Sequence, residues 1–390
     1  MEPIRLLERW LPAMRQITRP APGNPELAYY GTGESAHWQV QSNLGAFAAL
    51  AVLATAEDLD EKRAGMTRGE IAGLALRLLR YTLATHAGRP GRCTDGRQWG
   101  HSWISALGLE RMMHGVDAMK SFLAAEDRAR LRQVILSEAD WLTDHHPVVA
   151  GIEAHLNKPE SNIWNGCLLL RAATLYPDHP RREEHLRKST AFLLNGISVP
   201  EDAWSDVPFA GRPLSQWHVG ANFTSRYALN HHGYLNVGYM VICLSNLAMI
   251  HFGLKERGLA GPPELDHHAR DLWRTVRMFL FDDGRLLRIG GDTRARYSYC
   301  QDYALPMFLH ALDRLGDGEA AGHEERWIGQ VSRECEWNGD GFFLSRRLAS
   351  VRRNSLFYYA RLEADRAVTL SQAAFWRRRF RLPRATGATP

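Results

Sequence analysis

Apolar residues return every three or four positions through most of the first 340 residues, the period of an amphipathic helix. Ile71, Leu74, Ala75, Leu78 and Leu79 share one face, and Thr67 with Glu70 forms a capping box at its entry. Leu131, Val134, Ile135, Ala139 and Leu142 repeat the pattern, as do Leu186, Ser189, Thr190, Leu193 and Leu194, which end at an Asn195-Gly196 stop. The same reading predicts helices over about 3–17, 39–57, 103–123, 162–175, 235–256, 265–281, 302–315 and 319–336. No long β-type run interrupts them. Helices of this length joined by short links pack as antiparallel neighbours, in a solenoid or in a toroid of helical hairpins. The absence of a clean repeat of 30–45 residues argues against the common solenoids.

After residue 340 the pattern changes. Gly341 to Leu344 and Leu356 to Leu362 are rich in β-formers and predict two strands. The expected organisation is a helical domain over 1–340, a short β segment over 341–365 and a basic tail over 366–390. That last stretch also explains the net charge of +5: residues 341–390 hold eleven arginines, no lysine and two acids. The remaining body is mildly acidic, so the charge gives no reason to expect nucleic acid as a partner. Five widely spaced cysteines without a CxxC predict neither a disulfide framework nor a thiolate metal site. The N-terminus lacks a continuous apolar stretch of signal-peptide type. Val237 to Leu254 is interrupted by Ser245, Asn246 and His251, so no membrane insertion is expected and a cytoplasmic location is.

The links between helices concentrate tryptophan, histidine, asparagine, tyrosine and arginine, the side chains from which ligand clefts are built. Trp103 and Trp164 stand in two such links. A third, from Asn222 to Met240, carries His231, His232, Tyr234 and Tyr239, groups able to move protons near neutrality. Asn162 sits where a helix opens, and Asp292, Arg294 and Arg296 follow a Gly290-Gly291 turn suited to carboxylate recognition. Three His-His pairs occur, at 145–146, 231–232 and 267–268, but neighbours on a helix diverge by about 100° and chelate poorly without a third partner. No metal and no other cofactor is expected.

Taken in order, Ser161-Asn162-Ile163-Trp164, His232-Gly233-Tyr234 with Tyr239-Met240, Gly291-Asp292-Thr293-Arg294 and Arg352-Arg353-Asn354 resemble the heparinase II/III-like polysaccharide lyases. The resemblance spans about residues 90–365. It implies an (α/α) toroid followed by a β-sandwich, here cut short, and β-elimination at a uronic acid in an acidic polysaccharide or oligosaccharide. By that resemblance Asn162 neutralises the substrate carboxylate and His232 is base or helper. Tyr239 or Tyr234 is base and acid, and Arg294 or Arg296 binds the carboxylate. Trp103, Trp164, Asn222, His231, Arg296 and Asp292 are the expected substrate-binding residues. Two other readings remain open: a glycan-binding toroid without catalysis, and a glycoside hydrolase using carboxylates such as Asp202, Asp206 or Asp292.

Overall fold

The computed structural model describes residues 3–287 and 294–385, with backbone alone over 294–297. The described chain is mostly helical, with short antiparallel hairpins as its only sheets among those residues. It divides into two compact units. The first comprises residues 1–101, 111–134 and 321–390, and the second comprises 102–110 and 135–320.

In the first unit the His37–Thr55 helix is apolar nearly all round and is buried from Gln39 to Ala54. A helix without a polar face must be enclosed by its neighbours. Arg68–Ala84 and Leu356–Phe380 pack on it, and Pro3–Arg15 packs on the latter. Thr67 and Glu70 form the predicted capping box.

The C-terminal strands are a misreading. Ala349–Asn354 and Leu356–Phe380 are helices, and residues 366–380 belong to a core element rather than to a tail. The run Leu356-Phe357-Tyr358-Tyr359 has β-type side chains, but tertiary packing overrides that preference. Ser355 caps the helix by accepting from the Tyr358 amide. Tyr359, Leu362, Glu363, Arg366, Ala367, Leu370 and Ala373 then recur at helical spacing and are all buried. Glu363 accepts from Trp10 Nε1 at 3.1 Å and from the Phe343 and Leu344 amides at 3.0 and 2.8 Å. Those bonds tie the 341–344 segment, which is not a strand, to the helix. One of these arginines is internal too: Arg366 is fully buried and pairs with Glu334 at 2.7 Å.

In the second unit the central element is Val237–Glu256. By length and composition it could cross a membrane, with mean hydropathy 1.7, yet 89% of that stretch is buried. Pro159–Leu175, Ala269–Arg277 and Ala304–Asp313 pack around it, and Arg182–Leu194 packs on Pro159–Leu175. This arrangement brings the start of Pro159–Leu175 to the start of Val237–Glu256, where most of the candidate site residues lie.

Candidate functional site

Asn230–His231 and Tyr234–Leu235 form a minimal hairpin whose two-residue turn is His232-Gly233. Both turn residues have positive φ, +59° at His232 and +85° at Gly233, the geometry of a type I′ turn. Glycine adopts it freely; histidine is held in it at a cost. The turn exposes His232 and sends His231 inward. Asn236 then caps the next helix by accepting from the Tyr239 amide at 3.1 Å, while its own amide reaches Tyr234 Oη at 3.2 Å. The cap fixes Tyr239 one turn into the helix. Its ring centroid lies 4.5 Å from that of His231 and 5.3 Å from that of His232, and the two imidazoles are 4.2 Å apart. Three proton-carrying rings thus form one cluster, with Tyr239 half-buried and His232 open to solvent.

Behind them lie two residues that sequence reasoning missed. Asn157 gives its amide hydrogen to the Asn230 carbonyl, which leaves Oδ1 to face His231 Nδ1 at 2.5 Å. A carbonyl oxygen only accepts, so His231 Nδ1 carries the proton and Nε2 is the basic nitrogen of the neutral ring. Nε2 faces Glu160 Oε1 at 3.8 Å. Glu160 is buried, its Oε2 has no hydrogen-bond partner, and burial pushes its carboxyl up to about 7. Near neutrality this group exchanges a proton readily, as a catalytic acid or base must. The helical spacing Glu160, Ile163, Trp164, Cys167 places Glu160 on the buried face, and that was the available signal. An acid in a first helical turn is otherwise so ordinary that it passes for a dipole partner.

The raised Glu160 carboxyl has a stability consequence. Unfolded, the group loses its proton near pH 4.5; folded, near 7, so between these values the unfolded state binds fewer protons and stability falls as pH rises. Glu160→Gln removes that loss, which corresponds to about 3 kcal/mol once complete. The variant is expected to match wild type at pH 4 and to exceed its urea midpoint at pH 8. Equal midpoints at both pH values would refute the buried, proton-holding Glu160.

The remaining candidates separate into groups. Asn162 is buried in the first turns of Pro159–Leu175 and donates to the Val149 and Asn195 carbonyls at 2.9 and 2.7 Å. Both its amide hydrogens are therefore engaged by backbone, the post of a loop anchor. Asn222 does similar work: it donates to the Asn195 carbonyl at 2.6 Å and accepts from the Lys158 amide at 3.0 Å. Asn195 in turn holds the Trp217 carbonyl and the Val219 amide. These amides pin the loops that converge on the hairpin. Trp164 is buried and donates to the Trp103 carbonyl at 3.0 Å, and the Trp103 ring, 42% exposed, leans on it at 5.8 Å. Trp164 lies one turn beyond Glu160 on the same helix face, so Trp103 offers an open aromatic surface on that side. Asp292 and the side chains of Arg294 and Arg296 lie outside the described residues.

No family model and no curated protein sequence matches this chain.

Proposed function

We propose that the protein is a lyase that cleaves uronic-acid-containing glycans by β-elimination, on a toroid of helical hairpins. The observation that carries the reading is the His231, His232 and Tyr239 ring cluster backed by buried Glu160. β-Elimination needs three things: positive charge or hydrogen bonds at the uronate carboxylate, a base for the adjacent carbon-bound proton, and an acid for the leaving oxygen. His232, exposed at its turn, meets the carboxylate. Tyr239 takes the proton and returns one to the glycosidic oxygen. His231, held in one tautomer by Asn157 and facing Glu160 through Nε2, packs its ring against Tyr239 and positions it. In this reading the carboxylate role moves from Asn162 to the imidazoles, because Asn162 has spent its donors. The hydrolase alternative loses one candidate, since Asp202 is buried and bound by two imidazoles.

Incubation with a panel of uronate polymers, followed by the ultraviolet absorbance of the unsaturated product, tests the reading directly. Saturable glycan binding without that product would favour the non-catalytic reading; products lacking the new double bond would favour hydrolysis. Trp103→Ala is expected to raise KM roughly 2- to 10-fold with kcat nearly unchanged, the scale of one aromatic contact at about 0.5–1.5 kcal/mol. A fall in kcat without a change in KM would remove Trp103 from the binding surface.

A further inference from the structure

The second unit holds another set of titratable groups outside the ring cluster. Asp202, in the short helical turn Pro200–Trp204, faces His267 and His268, which follow the turn Pro263–Leu265. Asp202 Oδ1 is 2.9 Å from His268 Nε2, and Oδ2 is 3.3 Å from His267 Nε2. The Asp202 and His267 side chains are almost wholly buried; that of His268 is 21% exposed.

A bare His-His pair on a helix is a poor chelate, and this pair escapes that limit in two ways. His268 takes a left-handed backbone, φ +54°, so the two rings do not diverge as helical neighbours would; their centroids are 4.0 Å apart. The fold then supplies a third donor from 65 residues away. All three donor atoms lie within 4.8 Å of one another. Two ligands on a tetrahedral ion with bonds of about 2.0–2.1 Å stand about 3.3–3.4 Å apart, close to the His267 separation. From these contacts we infer that Asp202, His267 and His268 form a binding site for a divalent transition metal of the zinc class.

The surroundings fit that chemistry. Asp202 also accepts from the Val199 amide at 3.0 Å, but no lysine or arginine among the described residues pairs with it. A buried carboxylate without a cationic side chain is the kind that a metal ion neutralises. A second such group, Asp140, His179 and His185, differs here, because Arg181 already pairs with Asp140 at 3.1 Å. Tyr227 Oη lies 3.0 Å from His268 Nδ1 and orients that ring with Nε2 toward Asp202, the outer contact that metal-bound imidazoles commonly have. His218 lies close enough for the Asp202 charge to act on it, and its Nδ1 is buried without a hydrogen-bond partner. The ion would clip the 200–218 loop to the start of the Ala269–Arg277 helix.

The 390-residue chain, stripped with a chelator and titrated with Co²⁺, tests this by visible absorption, and with Zn²⁺ by calorimetry and thermal unfolding. One equivalent is expected to bind, with tetrahedral Co²⁺ bands that Zn²⁺ abolishes and a metal-dependent rise in Tm. Asp202→Asn and His268→Ala should each weaken binding ~100-fold or more. Should Asp202→Asn fail to fold, the more exposed His268→Ala decides alone. Absence of stoichiometric binding, or binding that His268→Ala leaves intact, would overturn the assignment and leave a hydrogen-bonded Asp-His-His trio.

Discussion

Tyr239→Phe is expected to lower the rate of glycan cleavage by roughly 10²–10⁴-fold while leaving the folded protein almost unchanged. The substitution keeps the ring that packs 4.5 Å from His231 and 5.3 Å from His232, and it removes only the hydroxyl that can carry a proton. The Asn236 cap beneath it binds the Tyr239 backbone amide, which phenylalanine also supplies. A free phenol titrates near 10, so about 0.1% is ionised at pH 7, and a tyrosine base depends on neighbouring positive charge. In this cluster His232, open to solvent with its ring centroid 5.3 Å away, is the neighbour that supplies it when protonated. kcat should therefore fall with KM little altered, and the Tm should stay within about a degree of wild type. Cleavage at near wild-type rate by a folded Tyr239→Phe protein would remove Tyr239 from the chemistry.

The parts of this arrangement that depend on local pattern were legible in the sequence. The Thr67 capping box, the Asn195 stop and the helix carrying Tyr239 rest on contacts within one turn, and a local pattern reports them. The histidines and tyrosines between Asn222 and Met240 stood out by composition, but the hairpin that turns at His232-Gly233 did not. What was not legible depends on distant partners. Leu356 to Leu362 has the composition of a strand, and only burial against the His37–Thr55 and Pro3–Arg15 helices, with Glu363 receiving Trp10, makes it helical. Asn162 and an N-terminal ligand position look alike in sequence; carbonyls 13 and 33 residues away decide that its amide is an anchor. Glu160 was hidden by the commonness of acids in first turns. The His267-His268 pair lacked its third donor until the fold brought Asp202 to it.

The largest stability effect is expected at Arg171, which lies wholly inside the second unit. Its Nε and Nη2 reach the two carboxylate oxygens of Glu110 at 2.6 and 2.9 Å, and Nη2 also donates to the Met249 carbonyl at 3.3 Å. The guanidinium turns its Nη1–Nη2 edge to Gly253, where an added Cβ would stand 2.6 Å from Nη1, so that position needs glycine for close approach. Both charged side chains are about 2% exposed. Arg171→Ala strands the Glu110 carboxylate without water or a counter-charge and is expected to cost about 3–5 kcal/mol. Replacing both partners, Arg171→Met with Glu110→Leu, removes the stranded charge and should recover most of that loss. Urea unfolding of the two single variants and the double variant measures the difference. The same comparison bears on activity, because Arg171 joins the helix that carries Glu160 to the helix that carries Tyr239. If the Arg171–Glu110 ion pair serves stability alone, the double variant regains cleavage along with stability. A double variant that is stable yet slow would mean that the Met249 contact, lost with the guanidinium, sets the spacing between Glu160 and Tyr239.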